Sequence, residues 1–278
     1  MHDTTPINDD LRKWIISQAQ TGCTPDTLIQ AMLSVGWNEA VAIKAIDSTL
    51  REHLTTQEAI AMPNPNLEGS PLYLDVGDKV VTVLASMQNP RIVILEGFLS
   101  DDECDAMIEL AKPKMKRSKT VVNETGGEEV HEARTSEGMF FHRGENELVK
   151  TIETRIAKLV NWPVEHGEGL QVLHYKPGAE YKPHYDYFDP AHAGSMTLLQ
   201  RGGQRLGTVL LYLNNPEKGG GTIFPDAGGF EASPRKGNAV FFSYSKPHPD
   251  SKSLHGGSPV IAGEKWVATK WLRATEFH

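Results

Sequence analysis

The chain has 278 residues and a mass of 30.7 kDa, with 39% hydrophobic and 23% charged residues, which suits one sizeable core with a smaller one and excludes a disordered or fibrous protein. A formal charge of -8 and a pI near 5.8 leave no basic footprint for non-specific binding to nucleic acid or acidic membrane. The opening MHDTTPINDD lacks the basic and apolar regions of a secretory leader, no apolar run approaches membrane-spanning length, and Cys23 and Cys104 fall in no Cys-x-x-Cys pair; a cytoplasmic protein without a disulfide framework is expected.

Residues 9–54 predict three short helices. In DDLRKWIISQAQ the apolar Leu11, Trp14 and Ile15 fall at i, i+3 and i+4. In TPDTLIQAMLSVGW, Thr24 can cap, Pro25 suits the first turn and Gly36 can terminate. NEAVAIKAIDSTLREHL stacks Ala42, Ala45 and Ile46 on one face, with Leu50 a turn later. A three-helix bundle over 1–55 follows. Its VGW and EAVAIKAI segments resemble ubiquitin-associated-type modules, which implies a partner-binding role, with plain stabilisation as the other reading. A DNA-reading helix-turn-helix is disfavoured by 4 Lys/Arg against 10 Asp/Glu in residues 1–75. Periodicity is then lost in TTQEAIAMPNPNLEGSP, and residues 56–74 read as a linker.

From residue 75 to 278 the pattern changes. KVVTVLAS and PRIVILEGFL are β-branched runs between turn residues, and SDDECDAMIELAK opens with Ser100 and Glu103 in capping-box spacing. NELVKTIETRIAKLV predicts a second helix. Beyond Gly169 nearly everything reads as short strands: LQVLHY, GTVLLYLN, GGTIFP, NAVFFSY and KWVATKWL. Short, evenly spaced strands preceded by a few helices predict an α+β domain, a β-sandwich or barrel with helices packed outside.

The segment YKPHYDYFDP carries the chemistry. A histidine and an aspartate two apart on a strand share a face, so His184 and Asp186 are expected side by side at a barrel mouth. Two ligands hold a transition metal poorly, and a third has to come from elsewhere. His255 in SKSLHGGSPV is the candidate, with His248 in KPHPD as rival. His, Asp and a distant His form the facial triad of non-haem Fe(II) oxygenases, which leaves positions open for co-substrate and dioxygen. A lone His-x-Asp also arises by chance, and eleven histidines make a downstream partner easy to find. Lys265 adds weight. It stands at the start of the following strand, as if to set an ammonium deep in the barrel, where it needs an anion. Glu264 points to the opposite face. A dicarboxylate chelating iron at one end and needing a cation at the other fits, and 2-oxoglutarate is such a molecule; a packed lysine stem with a solvated head is the competing reading.

Residues from about 90 to 278 resemble the prolyl 4-hydroxylase branch of the Fe(II)/2-oxoglutarate dioxygenases. LQVLHYKPGAEYKPHYDYF, RLGTVLLYLN, GGGTIFP, PRKGNAVFF and SLHGGSPVIAGEKWVATKW occur in that family's order. The resemblance implies a double-stranded β-helix, or jelly-roll, with iron between its sheets. It implies that His184, Asp186 and His255 ligate Fe(II) and that Lys265 pairs with the distal carboxylate of 2-oxoglutarate. Tyr175 and Tyr212 stand where relatives place co-substrate-binding tyrosines, and Thr208 and Thr222 line the same pocket or serve equally as core residues. Tyr181 and Trp271 match aromatics that hold the target proline. Arg205 and Arg134, the latter with Ser136, match peptide contacts. The 119–145 segment matches a mobile substrate loop. Lys182 and Arg273 depart from the acid and histidine usual in plant or algal collagen-type members, which leaves peptide preference open.

The function so implied is 4-hydroxylation of prolyl residues in a peptide or protein, with Fe(II), 2-oxoglutarate and dioxygen as cofactors, ascorbate as a candidate reductant, and succinate and CO2 as products. Asp186 favours hydroxylation over halogenation, because halogenating relatives lack that carboxylate. Two alternatives stand beside this reading: a hydroxylase of another amino-acid residue or small molecule on the same fold, and a non-catalytic jelly-roll that senses metal or oxygen.

Overall fold

Three patterns in the sequence decide the architecture: helical periodicity at the start, amphipathic helices in the middle and alternating strands to the end. The computed structural model describes residues 8–20, 23–56, 62–117, 120–121, 128–129 and 135–278. The chain divides into two compact units, Met1–Ala61 and Met62–His278.

The smaller unit holds α1 (Asp9–Gln20), α2 (Pro25–Ser34) and α3 (Glu39–Thr56). Thr24 caps α2, its hydroxyl accepting from Thr27 N at 3.3 Å, and Pro25 occupies the first turn, where its missing N–H costs nothing. Gly36, at φ +92°, carries the chain out of α2 in a conformation that disfavours a side chain. Ile15, Leu28, Met32, Ala42, Ala45 and Ile46 form the core. Trp14, grouped with Ile15 by spacing, instead lies at the edge of that face, 37% exposed.

The larger unit contains β1 (Tyr73–Asp75), β2 (Val80–Met87), β3 (Arg91–Glu96), α4 (Asp101–Ala111), β4 (Lys116–Arg117), β5 (Thr120–Val121), β6 (Glu128–Glu129), β7 (Glu137–Phe141) and α5 (Glu147–Val160). It continues through β8 (Leu170–Tyr175), β9 (Tyr181–His184), α6 (Ala193–Leu199), β10 (Arg205–Tyr212), β11 (Lys218–Gly219), β12 (Thr222–Phe224), β13 (Phe230–Ala232), β14 (Ala239–Ser243), β15 (His255–Gly257), β16 (Val260–Ala262) and β17 (Lys265–Arg273). Nine strands pair in the order β1-β2-β3-β14-β10-β17-β8-β7-β4, and four in the order β13-β12-β15-β9. Every strand pair is antiparallel. Helix α6 is an exception among the short strands expected after Gly169 and was not read in the sequence. Residues 62–74, within the stretch read as linker, pack on this unit. Asn64 N donates to Val160 O at 2.8 Å, Arg91 Nε donates to Asn64 Oδ1 at 2.8 Å, and Pro63 and Pro65 are buried.

Alternation gives the large sheet two working faces. On β17, Trp266, Ala268 and Leu272 join an apolar layer with Cys104, Met107 and Ile108 of α4 and Val149, Ile152 and Ile156 of α5. The residues between them, Lys265, Val267, Thr269 and Trp271, line a pocket on the other face. Helix α4 starts at the expected capping box, with Ser100 and Glu103 each satisfying the other's backbone N–H. Arg155 ties α5 to this corner, donating to Asp78 and to both Glu103 oxygens. Lys270 Nζ donates to Glu153 Oε1 at 2.5 Å, joining α5 to the strand that carries the pocket lysine.

Candidate metal centre and co-substrate pocket

Strand β9 ends at His184, so Asp186 stands in the bend that follows and not on the strand itself. The two side chains still converge, because the chain turns inward there and buries Asp186 to 5% exposure. His255 opens β15 directly opposite His184 in the antiparallel register, and residues facing each other across a ladder share a side of the sheet. Gly256 permits this close approach, since a Cβ there would meet Tyr181 O at 2.8 Å.

Each imidazole is aimed by its own backbone. His184 Nδ1 lies 3.0 Å from Lys182 O, and His255 Nδ1 lies 2.9 Å from Ser253 O. A carbonyl only accepts, so both Nδ1 atoms carry a proton, which leaves Nε2 as the nitrogen of each ring that can bind a metal. Both Nε2 atoms face Asp186: His184 Nε2 is 3.5 Å from Oδ1 and His255 Nε2 is 3.5 Å from Oδ2. One donor atom from each of the three residues fits within 4.8 Å of the others. Burial would raise the Asp186 carboxyl, but His255, His184 and Arg205 hold it well below the usual carboxylate range. Burial also keeps His255 neutral, with its pKa lowered to about 4 against the pull of Asp186. Two imidazoles and one carboxylate suit a divalent first-row metal such as Fe(II). The rival His248 is exposed, its Nδ1 accepting from Asp250 N at 3.2 Å, and it does not join the cluster.

Lys265 lies at the far end of the pocket, 3% exposed, with Nζ 5.2 Å from the Tyr175 ring centre and 5.8 Å from that of Tyr212. Burial pulls its pKa down to about 8, opposed by Glu231. Among the described residues no carboxylate pairs with it. Glu264 faces the other side of the strand, 2.9 Å from His174 Nε2. A buried ammonium beside a cluster of metal donors is a cradle for a molecule carrying two acid groups.

The other expected residues divide into wall and support. Tyr175, Tyr181, Thr208, Thr222 and Trp271 line the pocket. Tyr181 stacks on His184 with ring centres 3.7 Å apart. Tyr212 is behind the wall. Its hydroxyl donates to Ala232 O at 3.1 Å and meets Thr222 Oγ1 at 2.7 Å, so it holds Thr222 instead of facing the cavity. Arg205 is also behind the wall. It makes a two-point contact with Glu168 at 2.6 and 2.9 Å, donates to Asp186 O at 3.3 Å and lies 4.0 Å from the Trp271 ring centre. Arg134 and residues 119, 122–127 and 130–133 of the segment read as a substrate loop lie outside the described residues.

Four contributors went unread in the sequence. Thr269 follows from extending the alternation of β17 four residues past Lys265. Phe140, 48% exposed, lies with its ring centre 6.3 Å from that of Trp271, which lines the pocket. Glu168 and Tyr244 gave no local signal, because their partners are distant in sequence. Glu168 takes Arg205 and Arg273 together, and the two guanidinium groups outweigh burial and hold its carboxyl below the ordinary value.

Comparison with known proteins adds three findings. Residues 170–273 match the family described as the 2OG-Fe(II) oxygenase superfamily. Two plant proteins from Arabidopsis thaliana, probable prolyl 4-hydroxylase 3 and prolyl 4-hydroxylase 5, are 42% and 41% identical over 222 residues, which is 72% of this chain and 75% and 74% of theirs. The crystal structure of a viral collagen prolyl hydroxylase from Paramecium Bursaria Chlorella virus-1, in complex with 2-oxoglutarate, superposes with a TM-score of 0.50 at 33% identity, over 66% of this chain and 95% of that one.

Proposed function

The chain belongs to the prolyl 4-hydroxylase family of Fe(II)/2-oxoglutarate-dependent dioxygenases, and from that premise we propose which of its residues carry out prolyl hydroxylation. The enzyme is a dioxygenase that uses Fe(II) and 2-oxoglutarate. When bound, these groups supply an oxidation in which 2-oxoglutarate loses CO2 to become succinate, one dioxygen atom entering succinate and the other the C–H bond at proline C4.

His184 Nε2, His255 Nε2 and the Asp186 carboxylate hold the metal. The observation that carries this assignment is the pair of Nδ1–H bonds to Lys182 O and Ser253 O, which turns both Nε2 atoms toward one carboxylate. Such preorganisation lowers the cost of assembling the site. Lys265 receives the distal carboxylate of 2-oxoglutarate, with Tyr175 beside it and Thr222 fixed by Tyr212. Leu173, Leu210 and Val267 make the intervening walls apolar and exclude water. The target prolyl residue enters at the opposite end, between Tyr181 and Trp271. Arg205 acts there from behind, bracing the Trp271 ring and the Asp186 backbone, so its effect on peptide binding is indirect.

The substrate is a proline-containing peptide or protein. The N-terminal bundle serves as the recruiting module for the protein that bears the proline, a reading supported by its own core and capped helix. The test is a set of proline-bearing peptides followed by mass spectrometry and succinate assay. A +16 Da shift on proline that requires both Fe(II) and 2-oxoglutarate, with one succinate per shift, is expected. Succinate without peptide oxidation, or a shift on another residue type, overturns the substrate assignment.

A further inference from the structure

Thr208 joins two hydrogen bonds that chelation alone does not require. Its hydroxyl donates to Asp186 Oδ2 at 2.7 Å and stands 3.1 Å from the Tyr244 hydroxyl. A hydroxyl has one hydrogen, and an ionised carboxylate can only accept, so in the second bond Tyr244 is the donor. The result is a directed chain from Tyr244 to Thr208 to Asp186, its members 2%, 1% and 5% exposed.

The two hydroxyls and the carboxylate differ in how firmly the backbone holds them. Thr208 sits within β10, paired on one side with Phe242 of β14 and on the other with Trp271 of β17. Tyr244 directly follows β14, its N–H donating to Leu206 O at 3.0 Å. Asp186 lies in the bend after β9, outside every ladder. The carboxylate spans the two histidines, with Oδ1 toward His184 and Oδ2 toward His255. A carboxylate rotates readily about its last bond, and a rotated one could offer both oxygens to a single cation and fill a position that the co-substrates need.

We infer that Thr208, oriented by Tyr244, is a positioning residue that fixes the rotation of the Asp186 carboxylate, so that the large sheet sets the donor geometry of a ligand on a bend. This rests on the assignment of Asp186 as a metal ligand. Thr208 lines the pocket as expected, while its hydrogen is directed to the metal ligand. Charge-assisted bonds from outer residues to metal ligands govern affinity by about 10- to 100-fold.

The test uses Co(II) as a spectroscopic probe, titrated anaerobically into the full chain and into Thr208→Val, Thr208→Ser, Tyr244→Phe and Asp186→Ala. Thr208→Val is expected to bind Co(II) about tenfold or more weakly, with an altered visible absorption spectrum. Thr208→Ser restores affinity and spectrum, and Tyr244→Phe, which frees the threonine hydroxyl to turn, lies between. Parent-like affinity and spectrum in Thr208→Val, or a Thr208→Ser as weak as Thr208→Val, overturns the inference. Should Thr208→Val fail to fold, Tyr244→Phe decides it: an intermediate loss supports the chain, and a parent-like titration overturns it. Asp186→Ala separates the two levels. If it loses Co(II) while Thr208→Val keeps it, only the positioning role fails; if it binds Co(II) like the parent, the triad assignment fails as well.

Discussion

The metal triad and the mouth of the same pocket are built in opposite ways. In the triad, each histidine is oriented by a carbonyl two residues before it, at 3.0 and 2.9 Å, and the two histidines meet because β9 and β15 are directly paired. At the mouth, the Trp271 ring lies against Arg205, which is held by Glu168 from 37 positions away, and Glu168 is shared with Arg273 from 105 positions away. The triad histidines are therefore aimed by neighbouring carbonyls and brought together by one strand pairing, whereas the mouth is braced by a side-chain ion network. Such a network fails as a unit when one member is removed, whereas the aim of each histidine depends on its own backbone carbonyl.

The sharpest way to break that comparison is Glu168→Gln, which leaves Arg205 and Arg273 buried with no countercharge between them. A loss of about 3–5 kcal/mol in unfolding free energy is expected, together with a raised KM for peptide and a metal affinity changed less than the peptide KM. Denaturant unfolding beside Fe(II) titration measures both, and a neutral effect on stability would mean that the two guanidinium groups find other partners.

Lys265→Ala tests the opposite end. Removing the ammonium at the base of the pocket should raise the 2-oxoglutarate concentration for half-maximal succinate formation about a hundredfold or more, and change Fe(II) affinity little. Lys265→Arg retains part of the function, its planar head fitting imperfectly where an ammonium stands. An unchanged requirement in Lys265→Ala would move the co-substrate anchor elsewhere.

A smaller effect separates scaffold from site. Burial raises the Glu103 carboxyl, but Arg155 and the Ser100 N–H overcome this and lower it to about 2 from 4.5. A depressed carboxylate contributes its stability above the unfolded value and loses it as pH falls through the folded one, so the contribution fades between about pH 4.5 and 2. With one side of the pair partly exposed, it amounts to about 2–3 kcal/mol. Glu103→Gln keeps the cap acceptor and removes the charge; its unfolding free energy in the metal-free protein should fall below the parent's at pH 6 and converge with it near pH 2. Parallel curves would assign the pH dependence to other groups.

The smallest expected change is at Phe140. Trimming this half-exposed ring to alanine should raise peptide KM about fivefold, near 1 kcal/mol of contact, and leave the 2-oxoglutarate requirement unchanged. Steady-state kinetics with both substrates varied checks it, and an equal change in both constants would place Phe140 in general packing.

The same division explains what was legible in the sequence. Strands β8, β10, β14 and β17 showed themselves by β-branched and aromatic runs between turn residues, and Ser100 with Glu103 announced the start of α4 at three-residue spacing. His184 and Asp186 stood two apart, so the pair could be read even though the strand stops at the first of them. Glu168, Tyr244 and the orientation of Tyr212 could not be read, because each depends on a partner brought across sheets by the completed fold. Helix α6 left little trace: AGSMTLL is seven residues long, lacks a side-chain cap, and is clasped through Arg273, which donates to Leu198 O.

The central claim is that His184, Asp186 and His255 hold the iron, and equilibrium Fe(II) binding under anaerobic conditions tests it most directly, with His255→Ala and His248→Ala compared against the parent. The geometry predicts that His255→Ala loses high-affinity Fe(II) binding while the exposed His248→Ala retains it. Loss in His248→Ala with retention in His255→Ala would contradict the assignment.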